Sequence, residues 1–143
     1  MIKTLPDTSV IIIRLMVGAV FFSEGIQKFL FASKLGAGRF EKIGLPNPDF
    51  LGPFVGAFEI VCGIFVLLGL FTRLAAIPLF TIMLVAITST KAKLLIDEGF
   101  WSMLHDSRTD WAMLLGSVFL IIKGGGKWSI DYLLSKKQKS ESN

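Results

Sequence analysis

The run from Leu51 to Phe71 is apolar from end to end except for Glu59, close to its middle. A stretch of about 20 such residues is long enough to cross a bilayer as a helix. A carboxylate at that depth costs roughly 2.5–3.5 kcal/mol even on lenient insertion scales, so it requires a partner or a task. At 3.6 residues per turn, Glu59 falls on the same stripe as Gly52, Gly56 and Gly63. Glycines let a second helix approach closely, which turns Glu59 towards protein and away from lipid. The composition agrees: 18% of the 143 residues are charged and mean hydropathy is +0.66, where a soluble domain carries about 25% charged residues.

Four apolar segments stand out, at about 10–31, 51–71, 74–90 and 110–128. The expected fold class is all-α: a membrane-embedded four-helix bundle, up-down-up-down, in one domain covering 1–143. The fourth segment is the weakest, because Lys123 and Gly124-Gly125-Gly126 interrupt it. Glu24 and Lys28 occupy the place of a small-residue cleavage site, so the first segment is expected to be a retained span. Thr72-Arg73 joins the second and third segments, which makes them antiparallel neighbours. The two longer loops, 32–50 and 91–110, then share one side and both termini share the other. The first is rich in turn formers. The second holds Phe100, Trp101, Met103 and Leu104, suited to a short interfacial helix. The polar tail 136–143 is expected to be flexible. Of fifteen Lys and Arg residues, eight (Lys3 among them) fall on the terminal side and seven on the loop side. That small excess favours cytoplasmic termini in the plasma (inner) membrane.

The intramembrane polar residues are the candidate site. Glu24 and Lys28 are spaced for an i, i+4 ion pair. Glu24 and Glu59 reach similar depth, and Asp110 at the start of the fourth segment looks towards the same level. Glu24, Lys28, Glu59 and Asp110 therefore form a candidate pocket able to handle protons or hold a carbonyl or hydroxyl head group. The competing reading is a structural Glu24–Lys28 pair with Glu59 bonded to a neighbouring helix. On the helical wheel Glu24 lies well over a quarter-turn from the stripe of Arg14, Gly18, Gly25 and Phe29. His105, Asp106 and Arg108 are candidate loop contacts for protons or a partner. Arg14 and Arg73 are expected as anchors at the terminal-side boundary, with Arg14 deep enough to bond helix carbonyls. Thr109 or Asp110 is expected to cap the fourth helix. No metal site is singled out, and Cys62 reads as a packing residue. The basic tail suits anionic membrane lipids; without a basic stripe interleaved with aromatics, nucleic acid is excluded as a partner.

These residues also come in a familiar order. Arg14-Leu15 followed by Gly18, Phe22, Gly25 and Lys28, then Glu59 with Gly63, then Gly69-Leu70-Phe71-Thr72-Arg73-Leu74-Ala75-Ala76, resemble the DoxX family of small four-helix integral membrane proteins. Arg108-Thr109-Asp110 ahead of an apolar helix and Gly124-Gly125-Gly126 leading to Trp128-Ser129-Ile130-Asp131 extend the likeness over about residues 10–133. The resemblance implies a small subunit of, or accessory to, a quinone-linked membrane oxidoreductase system, with quinone as the implied cofactor and electrons supplied by a protein partner. It equally allows a non-enzymatic assembly or recruitment factor, as in distant relatives. A small-solute or proton conduit is a third reading, which four helices accommodate only as a homo-oligomer. The family offers no catalytic set to carry over, so no residue is assigned a catalytic role.

Overall fold

The computed structural model describes residues 7–143, and every described element is helical. Lys3, counted above with the terminal-side charges, lies outside the described residues. Helix α1 spans Val10–Leu30 and is followed by two short helices, α2 (Ala32–Leu35) and α3 (Ala37–Lys42). The loop expected over 32–50 is therefore largely helical. Helix α4 runs Pro48–Leu68, opened by a proline whose missing N–H has no role in a first turn. It closes on Gly69, in the left-handed conformation that commonly ends helices.

The α4–α5 connection is Gly69-Leu70-Phe71, and Thr72 and Arg73 already belong to α5 (Thr72–Ala86). This helix does not end near Thr90 as the hydropathy pattern suggests. A π-helical turn at Ile87–Lys91 leads into α6 (Ala92–Glu98), so one helical rod continues from Thr72 to Glu98. Thr88, Ser89 and Thr90 each bond a carbonyl three or four residues back, holding polar side chains against the helix itself. Gly99 turns the chain into α7 (Phe100–Asp106), and Ser107 leads into α8 (Arg108–Lys123). Ser107, rather than Thr109 or Asp110, occupies the N-cap position. Residues 136–143 fall mostly within helix α9 (Ile130–Glu141), whose N-terminus is capped by the Ser129 hydroxyl, which accepts from the Tyr132 amide at 3.1 Å.

Helix α1 packs along α4 and α5 along α8, with smaller α4–α5 and α1–α8 contacts. Between them lies a core of Val17, Phe21, Val66, Ala76, Leu79 and Leu120. Three rods are long and apolar enough to cross a membrane: Val10–Leu30, Pro48–Leu68 and Thr72–Glu98. Helix α8, with 16 residues, extends about 24 Å at 1.5 Å per residue. The α1–α4 seam is set by glycine. A Cβ on Gly25 would sit 2.7 Å from the Gly56 carbonyl oxygen, and one on Gly63 would sit 2.9 Å from the Phe22 nitrogen. Backbones this close explain why Gly52, Gly56, Glu59 and Gly63 are all buried on one face of α4.

Candidate functional site

The glycine seam brings Lys28 of α1 against Glu59 of α4. The Lys28 ammonium lies 2.8 Å from Glu59 Oε2, with the side chains 11% and 4% exposed. Helical spacing produces this contact: Lys28 is one turn beyond Gly25, whose closest neighbours are Gly56 and Ile60. The expected Glu24–Lys28 pair is replaced by this inter-helical one. Glu24 stays half-buried and near enough to repel the Glu59 carboxylate. One amine and two carboxyl groups thus share a small region of the α1–α4 seam, able to donate from Lys28 and accept at either acid.

Asp110 belongs to a second cluster. Its Oδ2 lies 3.2 Å from the ammonium of Lys91, which also bonds Asp106. Lys91 ends the π-helical turn and is itself buried, so α5, α7 and α8 are tied together by one side chain. The Lys91 hydrogen bond and charge, with Arg39 and Arg108 further out, hold the Asp106 carboxyl below its ordinary value. Arg108 Nη1 lies 2.7 Å from His105 Nε2 and donates to the His105 carbonyl at 3.1 Å. His105 and Asp106 line a groove of about 510 Å³ with Leu94, Glu98, Trp101 and Ser102. The four-residue pocket expected from depth alone is therefore two sites: Glu24, Lys28 and Glu59 in one, Asp110 with Lys91 and Asp106 in the other. Lys91 escaped the sequence reading because hydropathy ends the helix just before it.

A third polar cluster is at the opposite end of the molecule. Arg14 is 2% exposed and does not reach out to head groups. Its Nε donates to the Val66 carbonyl at 3.0 Å and Nη2 to that of Leu67 at 2.6 Å, carbonyls in the last turn of α4. Nη1 donates to Gly125 at 3.2 Å and to the carbonyl of Trp128. Asp131 completes the arrangement by accepting from the amides of Phe71 (2.7 Å) and Thr72 (2.9 Å), capping α5 from a remote part of the chain. Arg73 is half-buried, and its Nε has no hydrogen-bond partner among the described residues. In sequence, Asp131 carries only the local signature of a first-turn acid; nothing near it indicates that it serves another helix.

These arrangements fall within a recognised group of proteins. The DoxX family model matches residues 9–92, which include α1, α4 and the full Lys28–Glu59 contact. This chain belongs to the DoxX family. It is 54% identical to a Mycobacterium tuberculosis protein named "Uncharacterized membrane protein Rv3486", an alignment covering 90% of this chain and 83% of that one. It is also 27% identical to "Putative oxidoreductase CatD" of Bacillus subtilis, covering 94% of this chain and 92% of that one. No solved structure gives a significant match. The protein is a DoxX membrane protein, and the M. tuberculosis relative carries "membrane protein" in its name over nearly the same length.

Proposed function

We propose that this DoxX protein is a small subunit of, or accessory to, a quinone-linked oxidoreductase system of the plasma (inner) membrane. In this reading α1, α4, the Thr72–Glu98 rod and α8 form four spans, up-down-up-down, with cytoplasmic termini. The observation that carries the reading is the buried Lys28–Glu59 contact with Glu24 beside it. A quinone carbonyl is an acceptor that needs a donor when reduced, and Lys28 supplies one. Reduction to the quinol takes up two protons with the two electrons, and Glu59 and Glu24 are placed to deliver protons and to be reprotonated in turn. The electrons come from a protein partner. The name of the B. subtilis relative, an oxidoreductase, supports a redox setting. A non-enzymatic recruitment or assembly role is the second reading. It is supported by the α6–α7 segment, where Ile96, Phe100 and Trp101 stand exposed beside the groove containing His105 and Asp106.

Purification in mild detergent followed by solvent extraction separates the two leading readings. Co-purifying quinone that is lost from Glu59→Gln while the variant remains folded supports the first. A reproducible protein partner without quinone, and with no change in Glu59→Gln, replaces it with the second.

A further inference from the structure

The segment after α8 is held by an unusual number of bonds for a surface turn. Arg14 donates to the Gly125 and Trp128 carbonyls, the Lys127 amide donates to the Asp7 carbonyl at 3.1 Å, and the Asp131 amide donates to the Gly69 carbonyl at 2.9 Å. Ser129 is buried and donates to the Gly126 carbonyl at 2.6 Å. The backbone from Gly125 to Asp131 is thus fixed against the ends of α1, α4 and α5. Its two largest side chains nevertheless point outwards. Trp128 is 64% exposed and Lys127 is exposed, and no hydrogen bond or ion pair among the described residues engages the Lys127 ammonium or the Trp128 indole. Between them runs a groove of about 240 Å³, lined also by Leu68, Ile130 and Leu133.

Position and charge identify what lies against this groove. The Gly69–Phe71 turn joins two rods that are long and apolar enough to cross a membrane, which puts this groove at the level where such rods leave the bilayer. Tryptophan is enriched at that level because its ring is amphipathic. Residues 123–143 hold five lysines and two carboxylates, net +3 of the chain's +4. One of those carboxylates, Asp131, is turned inwards to cap α5. Helix α9 continues the pattern: Leu133 and Leu134 are exposed in its first half, and Lys136, Lys137 and Lys139 follow. A short helix with apolar residues on one side and lysines beyond them suits an anionic bilayer surface.

We propose that the Lys127–Trp128 turn and the first half of α9 form a binding site for an anionic phospholipid of the adjacent leaflet. The Lys127 ammonium and the Trp128 indole N–H meet the head-group phosphate, the apolar groove of Leu68, Ile130 and Leu133 receives the upper acyl chain, and Lys136, Lys137 and Lys139 gather further anionic lipid. The site is remote in sequence and structure from Lys28–Glu59 and does not depend on the quinone reading.

The test uses the full chain in neutral detergent, with phosphatidylglycerol or phosphatidylcholine added and binding counted by native mass spectrometry. Wild type is expected to bind phosphatidylglycerol several-fold more tightly, and that preference should shrink as lysines near the surface are removed. Lys127→Gln with Trp128→Phe should lose most of the preference, and Lys136→Gln/Lys137→Gln/Lys139→Gln a further share; exposed positions make misfolding an unimportant outcome, checked by circular dichroism. Equal binding of the two lipids by wild type overturns the proposal, as does an undiminished preference in both variants. Inorganic phosphate that displaces the lipid at millimolar concentration would equally overturn it, by assigning the site to a free anion.

Discussion

Removal of Lys28 should harm this protein more than removal of Lys28 and Glu59 together. With Nζ and Oε2 2.8 Å apart and both side chains nearly out of reach of solvent, the gross attraction is about 6 kcal/mol at an effective dielectric of about 20. Much of that offsets desolvation, so the contact itself contributes little net stability. Breaking it is another matter, because an unpaired buried charge remains, at a typical cost of about 3–5 kcal/mol. Lys28→Met leaves Glu59 facing Glu24 with no cation between them. Glu59→Gln leaves an ammonium beside one carboxylate, Glu24, and should cost less. In the double variant Lys28→Met/Glu59→Gln neither member of the buried pair is left charged and only the half-buried Glu24 remains, so most of the loss should be recovered. Thermal unfolding in a fixed detergent reads the three differences. A penalty of about 3 kcal/mol corresponds to roughly 10 °C in Tm for a domain of this size. The coupling is the double-variant value minus the sum of the singles. If Lys28→Met melts with wild type, or if the two single effects simply add, the pair is not a desolvated contact and the reasoning that builds a site around it fails.

Gly25→Leu should separate α1 from α4, since even its Cβ would meet the Gly56 carbonyl at 2.7 Å; a fall in Tm of several degrees is expected, and an unchanged Tm would mean the seam yields without cost. Asp131→Ala strips two buried amides of their acceptor and leaves Arg14 without its nearest countercharge, so a loss of about 2–4 kcal/mol is expected; Asp131→Asn should restore part of it, and equal melting of both variants would show that the cap carries no weight. Stability should also depend on acid through Asp106. Its carboxyl titrates lower in the folded protein than in the unfolded chain, so its contribution is fully present above the ordinary value of 3.8 and disappears as pH falls through the lower folded value. A Tm profile against pH should therefore be flatter at its acidic end in Asp106→Asn; identical profiles refute the assignment.

What the chain's order of residues determines here is whatever depends on local repetition. Apolar length specifies which segments meet lipid, and the 3.6-residue period places Gly52, Gly56, Glu59 and Gly63 on one buried face without reference to any other helix. The same wheel separates Glu24 from the Gly18–Gly25 stripe, and Glu24 indeed stays off the inter-helical contact. Choice of partner is a different kind of information. Lys28 is spaced for an i, i+4 pair with Glu24, yet its ammonium forms an ion pair with Glu59, because the Gly25–Gly56 approach carries it across the seam. Asp110 bonds Lys91 and not the α1–α4 acids, because the helix persists through a π turn to Glu98 where hydropathy alone would stop it. Arg14 and Asp131, more than a hundred positions apart, secure one end of the molecule by satisfying backbone groups that α4 and α5 leave open. Periodicity is written along the chain, but the rotation and offset of one helix against another exist only once the helices pack, and those two quantities decide which charges meet.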